Sequence, residues 1–301
     1  MTMLTIPLPS DPIRSGFLLI DASNLDDETF AEVLPMLHCT PATLIQSEQL
    51  MPRLIDVAAL SAAQQDGLSD VLLRELNGER PPVVCAWLDC ALDAKALARH
   101  LTRFLVGPGM DGAAVFWRYF DPRVFSLAVR VFSTEQTEAL LGPITEWRFP
   151  WCKRWWSVSG PGQEVDLLLG ITPAWPSENQ WRSLEHSALV ARVLAKLQDQ
   201  CEPGEPMTDA ACLRLQRGID AAMLDAKQRL HLSDNDDLME YALHCMNYGE
   251  EFFSHPKLAD AWPALAQGRI NWGTLIALLD QSDYRLLNEY SELQALSIGN
   301  A

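Results

Sequence analysis

The pattern of apolar residues changes near residue 175, and this change limits the possible folds more than any other feature of the chain. Before it, short apolar runs such as Phe17-Leu-Leu-Ile20 alternate with stretches of helical spacing. After it only the helical spacing continues, as in Trp181, Leu184 and Ala188. Short apolar runs favour strands, and recurrence every three or four residues favours helices. The sequence therefore predicts an α/β lobe over residues 1–175, with a mixed sheet flanked by helices, and an all-α lobe over residues 176–301.

Turn and cap residues divide the first lobe into elements. Asp93, Asp121-Pro122 and Ser133-Thr-Glu-Gln136 each have the composition of a helix start, and Ser177-Glu-Asn-Gln180 starts the first helix after residue 175. Helices are also predicted after Asp26-Asp27-Glu28, with Phe30, Val33, Leu34 and Leu37 at helical spacing, and over 68–76. The predicted strands are 17–20, 53–57, 83–88, 113–119, 144–150 and 164–170, with a further strand at Trp155-Trp156.

The chain is strongly acidic, with 40 Asp and Glu against 23 Lys and Arg and a formal net charge of −17. Such a surface repels the phosphates of nucleic acids and anionic lipids, so we expect neither as a partner. The basic residues concentrate over residues 95–154, which hold nine Lys and Arg against five Asp and Glu. This region is either a solvated face with chance clustering or a docking surface for an acidic segment.

No feature predicts export, a membrane crossing or a disulfide framework. Residues 1–12 contain three prolines and no basic stretch, which is unlike a signal peptide. The longest apolar runs are far shorter than the roughly 20 residues that cross a bilayer. The seven cysteines are scattered and form no Cys-x-x-Cys pair, which argues against disulfides and a zinc ribbon. We therefore expect a cytoplasmic protein that does not insert into membranes.

Catalytic and cofactor-binding motifs are missing from the sequence. No two of the six histidines have the i, i+4 spacing of a zinc pair, and neither a phosphate-binding loop nor a nucleophile elbow occurs. Gly107-Pro-Gly109-Met-Asp-Gly112 has the letters of a dinucleotide fingerprint, but a predicted helix precedes it and a strand follows it. The fingerprint needs the opposite order, so we interpret this segment as a turn. We predict no catalytic residue, cofactor or metal, and a protein that is not an enzyme.

Aromatic residues crowd one strand, where Trp147, Phe149 and Trp151 alternate with other residues. Alternation places the three rings on one face of the strand. They are either packed in the core or offered to a partner, because aromatic residues are favoured at binding hot spots. If that face is open, it adjoins a basic patch at Arg148, Lys153 and Arg154.

The segment Val115-Phe-Trp-Arg-Tyr-Phe-Asp-Pro-Arg-Val124 reads as a strand that turns into a helix. Asp121 suits the N-cap and Pro122 the first helical position. A cation in the first turn opposes the helix dipole at a cost of about 0.3 to 1 kcal/mol, so Arg123 needs an acidic group nearby. Asp121, another carboxylate of the lobe or a bound partner could supply it, and the same question arises for Arg118.

These residues resemble the adaptor chaperones of bacterial type VI secretion, whose shared domain was long catalogued as one of unknown function. The similarity follows the order of the first lobe and extends less sharply into the second, from Tyr241 to Phe252. The resembling segments are Phe17-Leu-Leu-Ile-Asp21, Leu97-Ala-Arg-His-Leu-Thr-Arg-Phe-Leu105, Phe116-Trp-Arg-Tyr-Phe-Asp-Pro-Arg-Val124 and Leu140-Leu-Gly-Pro143.

The resemblance implies an effector-specific chaperone that binds a cognate toxin in the cytoplasm and promotes its loading onto the VgrG spike or its PAAR tip, without being an enzyme. The first lobe would then supply a common surface around Arg118 and Arg123, and the helical lobe would select the effector. The residues that we predict to bind a partner are Arg118, Tyr119, Asp121, Arg123, Trp147, Arg148 and Trp151.

Two other functions fit the same sequence. An immunity protein that blocks a toxin would also be acidic and would act by binding alone. An enzyme could instead use carboxylates at strand ends, such as Asp21, Asp89 and Asp121, because ligand sites of α/β folds lie there.

Overall fold

The computed structural model describes residues 3–7, 13–25, 34–76, 81–163, 174–201 and 207–298. They belong to two compact units, Met1–Leu184 and Glu185–Ala301. Several predicted features lie outside the described residues. These are the strand at 164–170 and the first part of the helix expected after Asp26. The sequence also predicts that the helix over 68–76 ends at Asn77-Gly78 and that Cys201 to Pro206 is a hinge-like loop, and these residues, apart from Cys201, are outside the described ranges as well.

The first unit is built on a sheet of seven strands with a separate two-stranded hairpin. The strands are β1 (Met3–Ile6), β2 (Phe17–Ile20), β3 (Leu37–His38), β4 (Arg53–Asp56), β5 (Val84–Cys90), β6 (Val106–Pro108), β7 (Ala114–Phe116), β8 (Ile144–Trp151) and β9 (Arg154–Ser159). The large sheet has the order β1-β9-β8-β5-β2-β4-β3, and β6 pairs with β7. The predicted strands that are described are therefore present, and β1, β3 and β6 are additional. Leu37, which the sequence placed in the helix after Asp26, belongs instead to β3, where it pairs with Leu54 of β4.

All pairings between these strands are antiparallel, which corrects the expected mixed sheet. The reason is visible at the β8–β9 connection, where only Cys152 and Lys153 join the strands, with φ of 53° and 55°. Two successive residues with positive φ form the tight turn of an antiparallel hairpin. The helix between β4 and β5 joins two strands that run in the same direction, but β2 lies between them and is antiparallel to both. Alternation of strands and helices therefore did not place parallel strands side by side.

The glycine-rich segment after β6 is a turn, as predicted. The Gly109 N–H donates to the Ala113 carbonyl oxygen at 2.7 Å, and Gly112 has φ of 79°. The segment joins β6 to β7 and has no helix after it, so it lacks the helix N-terminus that a dinucleotide fingerprint requires.

Five α-helices complete the first unit, and the predicted caps start four of them, including Ser177 with Gln180 at the last helix. They are α1 (Ala62–Glu75), α2 (Ala94–Thr102), α3 (Pro122–Val131), α4 (Thr134–Leu141) and α5 (Glu178–Leu184). Asp93 accepts a hydrogen bond from the Ala96 N–H at 2.8 Å and caps α2. Asp121 caps α3, and Ser133 caps α4 in a capping box with Gln136. Ser61 and Gln64 form the same box at α1.

The two faces of the sheet have different cores. On one face, Leu68, Val71 and Leu72 of α1 pack in a buried aliphatic cluster with residues of β2, β4 and β5. On the other, the Phe125 ring of α3 stacks on Trp147 of β8 at 4.4 Å between ring centroids. Removing such rings from water supplies much of the burial energy of a domain of this size.

The second unit contains only helices among its described residues. They are α6 (Ser187–Asp199), α7 (Asp209–Arg229), α8 (Asn235–Phe253), α9 (Pro256–Ala259), α10 (Trp262–Ala266), α11 (Trp272–Ile276) and α12 (Gln281–Ile298). Gly249 breaks the helical geometry of α8, with φ of 55°. Helix α8 packs against α6, α7 and α12. The predicted fold class, an α/β lobe followed by an all-α lobe, is confirmed.

The units divide between Leu184 and Glu185, later than the boundary predicted near residue 175. Helix α5 begins after the change in sequence pattern, yet it packs against α3 and belongs to the first unit. None of the helices within the described ranges combines the length and the apolar character that a bilayer crossing requires.

Candidate functional site

The corner between β7 and α3, residues 117–123, carries four of the seven predicted partner-binding residues, Arg118, Tyr119, Asp121 and Arg123. Its backbone is fixed at its start by the Trp117 N–H, which donates to the Leu105 carbonyl oxygen at 2.8 Å. The Tyr119 hydroxyl donates to the Leu101 carbonyl oxygen at 2.9 Å. These bonds tie the corner to the end of α2, so its side chains are presented from a rigid segment.

Asp21 is the acidic partner of Arg118. It follows the last residue of β2, and its side chain is 1% exposed. The carboxylate accepts hydrogen bonds from the Ser23 hydroxyl at 2.7 Å, from the Asn24 amide at 3.0 Å and from Nη2 of Arg118 in a short ion pair. Nη1 of Arg118 also donates to the Ser23 hydroxyl, at 3.2 Å. A buried carboxylate is stable in such a site because several donors replace its lost water.

Asp121 is the acidic partner of Arg123, which was one of the candidates from the sequence. Oδ1 of Asp121 accepts from the Arg123 N–H at 2.9 Å and from Nε at 3.0 Å, and Oδ2 accepts from Nη2 at 2.6 Å. One carboxylate thus caps α3 and binds the guanidinium through two nitrogens. The hydrogen bonds that Arg123 donates to Asp121 raise the pKa of Arg123, so this cation stays charged.

The two ion pairs lie near the same buried cysteine. Burial raises the pKa of the Cys85 thiol well above its usual range, and the negative charges of Asp21 and Asp121 raise it further. The Asp21 N–H donates to the Val83 carbonyl oxygen at 2.9 Å, which holds this end of β2 against the start of β5. A thiol with such a pKa is not a nucleophile near neutral pH.

Each arginine of the corner keeps part of its surface in water. The side chain of Arg118 is 36% exposed and that of Arg123 is 31% exposed. A guanidinium has five N–H donors, and the carboxylate occupies only some of them. The charge of each arginine is balanced by its aspartate, so the corner offers oriented donors more than net positive charge.

Arg148 belongs to a different arrangement. Its Nη2 donates to Glu146 at 2.6 Å, and its guanidinium lies 4.4 Å from the centre of the Trp87 ring. Burial alone would raise the pKa of Glu146, but hydrogen bonds from Arg148 and from the Ser157 hydroxyl lower it. Trp87 belongs to the α1 side of the sheet, so Arg148 points to the face opposite Trp147.

The aromatic residues predicted to bind a partner are buried. Tyr119 and Trp147 are 1% and 0% exposed, and Trp151 is 7% exposed. Trp147 packs against Phe125, and Trp151 packs against Trp156. Of the two positions considered for the alternating rings, core or binding surface, the structure therefore places them in the core. The partly exposed residues of this region are Arg118, Arg123 and Arg148. Strand periodicity identified the shared face but not the helix that covers it.

The carboxylates considered for an enzyme do not converge. Asp21 lies beside the start of β5, whereas Asp89 lies near its end and accepts from the Thr145 hydroxyl at 2.5 Å. At about 3.3 Å per residue, the length of β5 separates them by roughly 20 Å. Asp21 and Asp121 are near one another, but each is occupied by an arginine. In the described part of the chain, no group of three His, Cys, Asp or Glu is arranged to hold a metal ion.

No curated protein and no solved structure matches the chain. A family model matches less than half of the chain. The match runs from Leu19 in β2 to Ala139 in α4, includes both ion pairs of the corner, and leaves out β8 and the helical unit. Over residues 19–139 the chain matches the family model of a domain of unknown function, DUF4123.

Proposed function

We propose that the chain is a cytoplasmic adaptor chaperone that binds a cognate type VI secretion effector and promotes its loading onto the VgrG spike or its PAAR tip. The observation that carries the proposal is the match of residues 19–139 to DUF4123. It covers two of the four segments by which the sequence resembles these adaptors in the first lobe, Leu97 to Leu105 and Phe116 to Val124, and part of a third, Phe17 to Asp21.

The arginine corner suits a binding role. Arg118 and Arg123 are held by buried carboxylates, so little side-chain entropy is lost when their remaining N–H groups meet a partner. Their outward donors fit the carbonyl and carboxylate oxygens of a polypeptide. We assign this corner to contacts common to the family and assign selection of the effector to the helical unit.

Under this proposal the chain binds its partner and is not an enzyme. Asp21 and Asp121 are bound to arginines, and Asp89 lies at the other end of β5. A general acid or base must reach the substrate, directly or through one water. The two aspartates of the corner act instead as anchors for the guanidinium groups.

The test is a secretion and capture experiment in the bacterium that carries the gene. The gene is deleted, the effector encoded beside it is followed in cells and medium, and a tagged copy of the chain is used to recover bound effector. We expect deletion to abolish secretion of that effector alone and the tagged chain to retain it during purification. An effector that is secreted normally by the deletion strain would overturn the proposal.

Arg123→Lys tests the arginine corner directly, because it keeps the positive charge beside Asp121 and removes the planar guanidinium group with its paired N–H donors. We expect weaker effector capture with a free energy of unfolding within about 1 kcal/mol of wild type. Arg182→Lys is the matched control, since Arg182 pairs with Glu178 on an exposed helix face. Equal capture by both variants would remove Arg123 from the binding surface.

The same strains distinguish an adaptor from an immunity protein. An adaptor is needed for secretion, whereas an immunity protein protects a cell that makes the toxin and is not needed for its export. If the deletion strain secretes the effector but is killed by it, the chain is an immunity protein.

A further inference from the structure

Helix α2 carries a stripe of cations. Lys95, Arg99 and Arg103 follow one another at intervals of four residues, Arg103 being the residue that ends the helix, and all three are exposed. Residues four apart lie on one side of a helix, about 6 Å apart along its axis. We call these three residues the α2 stripe.

The α2 stripe differs from three other cations of the basic region, Arg118, Arg123 and Arg148, in its lack of carboxylate partners. Arg118, Arg123 and Arg148 each form an ion pair within the unit. Across the described ranges, no Asp or Glu side chain forms an ion pair with any residue of the stripe. In a chain of net charge −17, three neighbouring cations without acidic partners form a local site of opposite sign.

A groove of about 410 Å³ adjoins the stripe and gives it a shape that a ligand can enter. Lys95, Arg99 and Thr102 line one side, and His38 and Thr40 line the other. The Thr40 hydroxyl oxygen is buried and has no hydrogen-bond partner among the described residues. Asp93 is the acidic residue of the lining, and it is engaged as the cap of α2.

Lys95 lies two residues after the cap Asp93, as Arg123 lies two residues after Asp121, but among the described residues Asp93 accepts from the Ala96 N–H and forms no ion pair with Lys95. Lys95 is in the first turn of α2, which contains no acidic residue. A cation there opposes the helix dipole. An anion bound in the groove would offset that repulsion, as Asp121 does for Arg123.

We propose that the α2 stripe and its groove bind an acidic segment of a partner polypeptide. That the partner is a secreted effector rests on the proposed function, but the surface itself does not. A segment with two or three carboxylates contacts only the stripe, because charges beyond about 8 to 10 Å are screened at physiological salt. A nucleic acid or an anionic membrane extends farther and meets the acidic remainder of the surface.

The spacing of the stripe defines the segment. Carboxylates four residues apart on a helix repeat at about 6 Å, and those two residues apart on a strand repeat at about 6.8 Å. Either repeat places successive carboxylates opposite Lys95, Arg99 and Arg103. The groove can receive side chains that flank the acidic positions.

The test uses a fluorescein-labelled, alanine-based peptide of about 14 residues with Glu at every fourth position, and the same peptide with Gln in place of Glu. Binding to the full chain is measured by fluorescence anisotropy at low and at physiological salt. We expect the Glu peptide to bind, with affinity falling as salt rises, and the Gln peptide to bind at least about fivefold more weakly.

The variant Lys95→Gln/Arg99→Gln should weaken binding of the Glu peptide by about fivefold to tenfold. Its control is Arg192→Gln/Lys196→Gln, which removes two exposed cations at the same spacing from α6 and changes the net charge equally. The control should stay within about twofold of wild type. Equal weakening by both variants would overturn the proposal, because net charge would then explain binding.

Two further measurements compare other partners and separate this proposal from the proposed function. Tight binding of a DNA oligonucleotide or of phosphatidylserine vesicles that is lost in Lys95→Gln/Arg99→Gln would overturn the assignment to a polypeptide. If the wild-type chain captures its effector but does not bind the Glu peptide, the surface is wrong and the adaptor function stands. If the Glu peptide binds at the stripe but no effector is captured, the surface stands and the adaptor function fails.

Discussion

The side-chain amides of Gln136 and Gln180 hydrogen-bond to each other in both directions, at 3.0 Å and 2.7 Å. Each glutamine also closes a capping box, since its Oε1 accepts from the N–H of Ser133 or of Ser177. The start of α4 is therefore joined to the start of α5. Helix α5, which follows residue 175, is thus held to α4 of the first unit by hydrogen bonds between the two capping glutamines.

We expect this pair to be energetically coupled. Gln136→Ala and Gln180→Ala should each lower the free energy of unfolding by about 1 to 2 kcal/mol, because each removes a cap and leaves the other amide without its partner. In a urea-unfolding cycle, the double variant should lose about 0.5 to 1 kcal/mol less than the sum of the singles. Gln64→Ala is the control, since Gln64 closes the box of α1 and bonds only to Ser61. Additive losses would contradict the coupling.

The sequence predicted both capping boxes but not the hydrogen bonds between their two glutamines. Ser-x-x-Gln is a local signal, because the two residues meet within one turn of the same helix. Contact between Gln136 and Gln180 depends on how α5 packs against α3, which no local pattern encodes. For the same reason the predicted lobe boundary preceded the observed one.

The pair Asp21–Arg118 gives a second prediction. Arg118→Ala leaves a carboxylate that is 1% exposed without its cation, and we expect a loss of about 1 to 3 kcal/mol in the free energy of unfolding. Bonds from Ser23 and Asn24 keep the loss below that of a fully unpaired charge. Arg182→Ala removes an exposed i, i+4 pair and should cost at most about 0.5 kcal/mol. Chemical unfolding of both variants measures the difference, and equal losses would contradict a structural role for Asp21.

The partners of the two corner arginines were predictable to different degrees. Asp121 is two residues from Arg123, so the sequence could name it as a candidate. Asp21 lies 97 residues before Arg118, and only the order of strands in the sheet brings them together. The signal that could have identified it is an acidic residue directly after a buried strand, which the sequence placed in an enzyme hypothesis instead.

Cysteine reactivity gives a third prediction. Burial raises the pKa of Cys39 to about 12 and that of Cys245 to about 12, so at pH 8 these thiols are almost entirely protonated and do not attack iodoacetamide. Cys201 is exposed. Peptide mass spectrometry of the native protein should find Cys201 alkylated first, with Cys39 and Cys245 modified only after unfolding in guanidinium.

Cys201→Ser is the control for that experiment, since it should remove the fast phase of labelling. Rapid native modification of Cys39, Cys85 or Cys245 would contradict the burial of these thiols. It would also reopen a catalytic role for a cysteine, because low-pKa accessible thiols are typical of nucleophiles.

Two glycines provide opposite predictions for the same substitution. Gly142 follows α4 with φ of 50°, and a Cβ there would lie 2.4 Å from Cε1 of His100. That imidazole is buried and bonded through Nε2 to the Leu140 carbonyl oxygen at 2.9 Å. Gly142→Ala therefore combines backbone strain with a collision, and we expect a loss of at least about 2 kcal/mol in the free energy of unfolding.

Gly67 is the matched site, because it lies within α1 and a Cβ there meets no atom within 4 Å. Gly67→Ala should raise the free energy of unfolding by about 0.5 to 1 kcal/mol, since alanine restricts the unfolded chain and favours the helix. Thermal and urea unfolding of both variants measure whether the free energy of unfolding falls for Gly142→Ala and rises for Gly67→Ala. A Gly142→Ala variant as stable as wild type would contradict the positive φ of Gly142 at the end of α4. It would also contradict the backbone conformation of the connection from α4 to β8.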